Sequence, residues 1–529
     1  MLRLLGSATV LCGFATPIVE AAPAGPQIAA PDRLHSSDNL PLVPRGPAGA
    51  DPVERYTTGL APFATINPSG LRLAASDPND DLEMLLFEDG TGDSGGETLE
   101  EEANDPMGME ELFAEETATT DGTTAGLPLE GFFQSELAYT YESPSHWSKF
   151  RNLLEIGSQG RLEQVSWKAS VRLSYDGVFE IEDDFYPSDV KDDRQTEAMI
   201  RETYLDFGMA DWEFRVGRQH IIWGEMVGLF FADVVSAKDL RQFVAQDFEL
   251  IRIPQWAIRG EYFHDDLHLE AIWIPYVTTD DIGEPGDDFY PFSVVKPGPG
   301  VEFRSDEAPD RDLSDTNYGL RLSYLLNGWD LAGFYYRSTD ASPTFFRSIT
   351  PGPAPKVVFE PEHKRIHQFG GTLAKDLGPN MVLKAEAIYT LDRYFSVETL
   401  SDSDGVVQQD FFDYVVGLDY TTDGGVRTNF QFFQRWYTDH DKEIVPDEVE
   451  SGASVYIAGD LPGTDLEPEF LLIHSLNRTD WMARPRVVWG FAPNWRAALG
   501  ADLFGGPELG LFGQFDRSDR VYGELRYSF

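Results

Sequence analysis

Two pairs of histidines stand four residues apart, His264 with His268 and His363 with His367. On a strand that spacing is about 13 Å, too far for two imidazoles to share a metal ion. His264 and His268 flank a predicted turn and could approach each other, but in solvent. Apart from Gly92-Asp93-Ser94-Gly95-Gly96, which lies in an acidic stretch and not between a strand and a helix, no G-x-S-x-G string occurs in the sequence, nor does a phosphate-binding loop or zinc signature, and the chain does not read as an enzyme. Asp233, Lys238, Asp239 and Arg241 offer a different chemistry. They lie in a stretch that is otherwise apolar, with Met226, Val227, Leu229, Phe230, Phe231, Phe243 and Val244. Charges of both signs in such a segment suit the lining of a constriction, where rings of charge select what passes. They suit equally a structural plug whose charges pair with surrounding arginines, since buried charges need partners in either case. Ser236 followed by Asp239 also reads as the capped start of a short helix through about Ala245.

The elements around this segment are strands. From Val165 to Tyr175 the residues Val165, Trp167, Ala169, Val171, Leu173 and Tyr175 alternate with Ser166, Lys168, Ser170, Arg172 and Ser174. A period of two gives a strand with one apolar and one polar face. Thr428, Phe430, Phe432 and Trp436 oppose Arg427, Asn429, Gln431 and Arg435 in the same way, and Leu383, Ala385, Ala387 and Tyr389 oppose Lys384 and Glu386. About 18 such segments are legible between 130 and 529, including one at 507–516. The connections between them alternate: short after even-numbered strands, long after most odd-numbered ones. Aromatic residues gather near strand ends. These features predict an all-β chain, a transmembrane antiparallel β-barrel of about 16–18 strands with short turns on one side and long loops on the other. A soluble sandwich would alternate too, but without that parity of loop length. The polar faces supply Arg215 and Glu202 as further lumen candidates beside the four charges above.

Charge is distributed unevenly. The chain has 90 acidic and 41 basic residues, a net charge of −49, which excludes a protein that binds nucleic acid by neutralising phosphates. Residues 1–22 read as a secretory signal containing Cys12, the one cysteine. Residues 23–126 read as a disordered acidic tail in the periplasm, because so few aromatic and β-branched residues cannot bury a core. Two apolar clusters interrupt the tail. One contains Leu85, Leu86 and Phe87; the other places Met109, Leu112 and Phe113 on one face of a short helix. They are docking segments for a periplasmic partner, or residual hydrophobicity in a solvated tail. Residues 127–529 form the barrel. Its outer loops are acidic: Asp176–Asp193 holds eight acids against Lys191. Clusters such as Glu182-Asp183-Asp184 and Asp287-Asp288 could bind Ca²⁺ or Mg²⁺ and bridge lipopolysaccharide, while solvation alone also accounts for them. No other cofactor is expected. The terminal Tyr527-Ser528-Phe529 resembles the closing signal of bacterial outer-membrane proteins, which the barrel-assembly machinery reads.

The run from Gly217-Arg218-Gln219 to Trp223-Gly224, followed by Asp233-Val234-Val235-Ser236 and Asp239-Leu240, resembles a poorly characterised family of proteobacterial outer-membrane proteins classed as a domain of unknown function. Its members share G-R-Q-x-x-x-W-G and D-V-x-[NS]-x-x-D-L. The resemblance covers roughly 129–529. It implies a large porin-like barrel in the outer membrane, often associated with secreted companion proteins and with exporters of the resistance-nodulation-division class. Three functions stand at this point. The first is an outer-membrane channel or the outer-membrane element of an export system. The second is a non-conducting envelope scaffold with a plugged lumen, and the third a membrane-embedded hydrolase.

Overall fold

The computed structural model describes residues 129–529 apart from 225, 227–231, 247, 292–299, 305, 307–308, 310–314, 351–355, 398–403, 445 and 509. The predicted signal, the acidic tail and both of its apolar clusters lie outside the described residues. In chain order the strands begin with β1 (Glu130–Thr140), β2 (His146–Leu162), β3 (Val165–Asp176), β4 (Thr196–Met209), β5 (Trp212–Gln219), β6 (Ala237–Lys238), β7 (Arg252–Ile253) and β8 (Gln255–His264). There follow β9 (Leu267–Tyr276), β10 (Val301–Phe303), β11 (Asn317–Leu326), β12 (Trp329–Thr339), β13 (Thr344–Thr350), β14 (Lys356–Glu362), β15 (Arg365–Gly378) and β16 (Met381–Ser396). The last are β17 (Val406–Thr421), β18 (Arg427–Thr438), β19 (Val449–Ala458), β20 (Leu466–Ser475), β21 (Trp481–Ala492), β22 (Trp495–Gly505) and β23 (Arg520–Ser528). Three short helices lie between them, α1 (Val178–Ile181), α2 (Ser188–Arg194) and α3 (Phe248–Ile251).

Eighteen of these strands form one antiparallel sheet, each hydrogen-bonded to the next. The sheet closes because β23 pairs with β1, from Thr140↔Arg520 to Phe132↔Ser528. Beyond that pairing Gly131 and Phe529 exchange two backbone bonds of 2.8 Å. The other strands are β6 with β7, and a small sheet of β10, β14 and β13 in the long loops. No helix among the described residues is long and apolar enough to cross a membrane.

The alternation sets which way each face points. On β11, Leu320 and Leu322 are 53% and 48% exposed, while Arg321 between them is 8% exposed. Leu499, Leu205 and Phe430 are likewise at least half exposed on the outside. Each such side chain left in water forgoes about 1.5–3 kcal/mol, so a belt of them is stable only against lipid. Aromatic rings mark the short-turn end of the belt, where Trp495 lies 4.8 Å from Tyr527 and Trp212 lies 5.4 Å from Tyr262. Such girdles sit at the two interfaces of a bilayer.

Connections follow the expected parity. Glu163-Gln164, Ala210-Asp211, Asp265-Asp266, Asn327-Gly328, Pro379-Asn380 and Pro493-Asn494 are two-residue turns at one end. Asn327 and Gly328 both have positive φ, 53° and 71°, the conformation that reverses a twisted hairpin with two residues. At the other end run 177–195, 220–254, 277–316 and 340–364. Two strand assignments change. Residues 507–516 are not a strand but lead into a 3₁₀ turn at Gly513–Ser518, with Phe512 and Phe515 buried inside the barrel. The true fourteenth barrel strand is β19, whose outward Ser451 and Ala453 are too small to show the polarity alternation.

Because Leu320 faces lipid near the middle of its strand, Leu320→Arg should cost about 2–4 kcal/mol of barrel stability. Leu320→Phe should be close to neutral. Urea unfolding of detergent-refolded protein, followed by its electrophoretic shift on heating, measures both.

Candidate functional site

The connection between β5 and β8 does not stay outside. From Ile221 it turns into the lumen, where Trp223, Met226, Val234, Val235, Phe243, Val244 and Ala245 are all buried. They join one apolar cluster with wall residues Ile272, Phe334, Ile388, Val415, Ile473, Met482 and Phe504. These come from β9, β12, β16, β17, β20, β21 and β22, so the segment spans the barrel from wall to wall. Two wall glycines make room for it. A Cβ on Gly319 of β11 would lie 2.6 Å from the Trp223 ring, and one on Gly417 of β17 would lie 2.7 Å from the Met226 methyl.

Polar groups of the segment are met by the wall. Glu386 of β16 accepts the N–H groups of Met226 (3.0 Å) and Ala232 (2.8 Å). Arg520 of β23 donates to the Gln242 side chain (2.8 Å) and the Ala245 carbonyl (2.7 Å). Arg484 of β21 donates to the carbonyls of Val244 and Gln246, and Arg201 of β4 to those of Arg252 (2.7 Å) and Glu249 (3.1 Å). A coil inside a barrel has carbonyls that no sheet satisfies. Inward arginines supply the missing donors.

The six charged candidates do not form one ring. Asp233, Lys238, Asp239 and Arg241 are buried within the plug. Asp233 pairs with Arg252 at 3.0 Å. The Lys238 ammonium donates to the Ser236 carbonyl at 2.8 Å, and Asp239 takes two bonds from the Arg241 side chain. Glu202 and Arg215 stand instead on the wall: Glu202 pairs with Lys168 at 3.2 Å, and Arg215 with Asp206 at 2.7 Å. The expected helix over 236–245 is absent. Ala237–Lys238 is strand β6, and the Ser236 hydroxyl donates to the Ile221 carbonyl (3.1 Å) rather than capping a helix. The adjacent polar void, between Val234, Ser236, Lys238, Asp280, Asn317 and Gln368, measures about 20 Å³, room for about one water molecule.

The outer loops bolt the plug down. Leu240 N–H donates to the Asp281 carbonyl, and Asp281 N–H to that of Lys238. Arg241 is ringed by Asp239 (2.8 Å), Glu197 (2.9 Å), Asp281 (3.2 Å) and Asp193 (3.9 Å). Burial pushes the Asp281 carboxyl up to about 7, with Asp239 and Asp193 adding to the effect of burial against Arg241. Burial likewise lifts Asp287 to about 6, although Arg194 of α2 lies 2.6 Å away. Asp288 is held by His146 (2.9 Å) and the Tyr186 hydroxyl (2.7 Å). The acids proposed for Ca²⁺ or Mg²⁺ at 287–288 are thus engaged by protein groups. Of the histidines, His363 pairs with Asp306 and His268 with Glu261. Tyr527 and Phe529 sit at the closing seam, their rings 6.2 Å apart.

Sequence reasoning missed the anchors Glu386, Arg484, Arg520 and Arg201, which lie far along the chain from what they hold. The one signal available was a charged residue at an inward strand position, as with Glu386 between Ala385 and Ala387.

A family model described as "Protein of unknown function (DUF1302)" matches residues 140–529. Among curated proteins none matches. Among solved structures, OccAB3 of Acinetobacter baumannii is 11% identical, with 77% of this chain and 100% of that one covered and a TM-score of 0.45. OmpF of Salmonella typhi, in complex with daunomycin, is 13% identical over 76% of this chain and 97% of its own, with a TM-score of 0.37. The outer membrane channel DcaP of Acinetobacter baumannii is 12% identical over 77% and 99%, also at 0.37.

Gly319→Leu should push Trp223 out of its socket, at a cost of about 1–3 kcal/mol. Amide exchange across 221–245 should then quicken at least tenfold in a barrel that still resists unfolding. The raised carboxyls give a second expectation. Asp281 and Asp287 bind protons more tightly in the latch than in a free loop. Their stabilisation is therefore full below the ordinary value of 3.8 and is lost as pH rises through about 6 and 7. Exchange over 277–291, corrected for its intrinsic pH dependence, should rise between pH 5 and pH 8, and Asp281→Asn should flatten that rise.

Proposed function

The chain belongs to the DUF1302 family of unknown function, and from that premise and the shape of its lumen we propose that it is an outer-membrane transport channel held shut by residues 220–254. The observation that carries this reading is the lumen itself. An apolar belt fits the outside to lipid, and the wall inside is lined with charged groups, yet a segment whose described residues hold only a two-residue strand pair and a four-residue helix crosses it. Side-chain contacts and hydrogen bonds hold the coil in place, and these can exchange for water or cargo. A closed sheet cannot open without losing its ladder. Transport then requires the plug to shift rather than the wall.

Both ends of the described chain, at β1 and β23, lie with the short turns. In an outer membrane this end faces the periplasm, which would place the acidic tail where an envelope partner could meet it. An exporter of the resistance-nodulation-division class is the kind of partner in view, with Leu85, Leu86, Phe87, Met109, Leu112 and Phe113 as contact residues. The scaffold reading is favoured by one observation, the pairing of Asp233, Lys238, Asp239 and Arg241 inside the plug.

Planar-bilayer recording separates the two. The full chain should conduct in rare, brief openings, and a variant lacking 226–249 should conduct steadily. Silence from both, with the deleted barrel correctly folded, would leave the scaffold.

A further inference from the structure

Most outward side chains of the barrel are apolar, but at the long-loop end of β12 and β15 three basic ones face out. Strand register fixes their direction. Arg337 stands opposite Tyr318 on one side and His367 on the other, and Tyr318, itself exposed, stands opposite the exposed Trp273. The next outward row, about 7 Å nearer the middle of the sheet, is Leu320, Tyr335, Phe369 and Tyr389. Leu320 and Phe369 in that row face lipid, and its rings are the girdle of this end. Arg337 and His367 therefore lie just above the hydrocarbon, at head-group level. Arg365, opposite Thr339, is one repeat nearer the loops.

The three converge on one spot. Nη1 of Arg337 and Nη1 of Arg365 both donate to the Thr316 carbonyl, at 3.4 and 3.2 Å, and the two charges act on one another. Like charges held this close repel unless an anion joins them. Asp315 meets Arg365 at 3.3 Å. Arg337 has no carboxylate within ion-pair reach among the described residues; its other contact is the Tyr318 ring, whose centroid lies 5.4 Å from its Cζ. Nδ1 of His367 lies 2.9 Å from the Tyr335 hydroxyl, which leaves Nε2 to meet a ligand. Two planar guanidinium forks and an imidazole suit the several oxygens of a phosphate. Lys375, the outward cation at the short-turn end, differs: its ammonium is taken up by the carbonyls of Asn327 (3.0 Å) and Gly328 (2.9 Å).

We infer that Arg337, Arg365 and His367 form a site on the outer wall for the phosphate head group of an outer-leaflet lipid, whose acyl chains lie along Leu320, Leu322 and Phe369. This rests on the outer-membrane placement in the reading above, with the long loops outside, and not on movement of the plug. Inorganic phosphate offers the same oxygens. The site, however, opens sideways over an aromatic and aliphatic wall rather than into the lumen, and that position favours a phosphate carried on acyl chains.

The test is native mass spectrometry of the full chain released from detergent micelles, with diphosphoryl lipid A as the probe and its dephosphorylated form and inorganic phosphate as controls. Lipid A should be retained about tenfold more than the dephosphorylated form, and excess inorganic phosphate should not displace it. Arg337→Gln should lower retention about fivefold, and Arg337→Gln combined with Arg365→Gln about twentyfold. Lys375→Gln should leave retention unchanged. The electrophoretic shift on heating checks that each variant is a folded barrel. Equal retention of the dephosphorylated lipid, displacement by inorganic phosphate, or an equal loss with Lys375→Gln would overturn the site. Conductance of the variant lacking 226–249 does not depend on these outcomes, so the lipid site can fall with the channel standing, or the reverse.

Discussion

A sheet that crosses lipid can leave no backbone edge unpaired, and this constraint organises the molecule. Water is absent from the hydrocarbon layer, so each N–H and C=O must find a partner within the protein. Pairing of β23 with β1 meets the demand by closing the sheet. Closure then inverts the usual polarity, with Leu320 and Leu322 outside and Arg321 inside. Inward charges pair across the wall, as Arg215 does with Asp206 and Arg435 with Asp413.

The plug is the answer on one side of that problem and its exception on the other. Its carbonyls take the donors of Arg484, Arg520 and Arg201, and its N–H groups take the acceptor Glu386. The motif residues between Gly217 and Leu240 serve this fit. Gln219 donates to the Ala257 carbonyl across the strand pair, Trp223 seats on Gly319, Asp233 meets Arg252, and Leu240 bonds the outer loop. Gly217, at φ 141°, lies so close to β4 that a Cβ would stand 2.2 Å from the Thr203 carbonyl oxygen, a backbone that other residues adopt only under strain. The exception is β4, whose pairing with β5 stops at Thr203 and whose Arg201 side chain reaches the carbonyls of Arg252 and Glu249.

Much of this was legible in the amino-acid order, and the reasons differ by element. A period of two is a local property, so strands such as β3 and β11 could be read directly. β19 escaped because Ser451 and Ala453 give its outer face little contrast, and 507–516 misled because Leu511 and Phe515 alternate for burial in the lumen rather than for lipid. The inward fold of 220–254 was legible from its apolar composition. Its anchors were not. Glu386 lies 160 residues from Met226 and Arg520 lies 278 from Gln242, and no local pattern records such pairings. Ser236 and Asp239 had the spacing of a helix start, but competing partners took both side chains, the Ile221 carbonyl and Arg241. The early end of the β4–β5 pairing was equally hidden, since it arises from where β5 stops relative to its neighbours.

The central claim is that one body, the plug, both seals the lumen and moves to open it. Cys12 is the one native cysteine, so a pair introduced as Met226→Cys and Gly417→Cys can be joined selectively by a short bifunctional thiosulfonate. These positions already touch. Single-molecule conductance of that variant should cease on bridging and return on reduction. Equal conductance in the bridged and reduced forms would show that ions pass without plug movement, and would contradict the account.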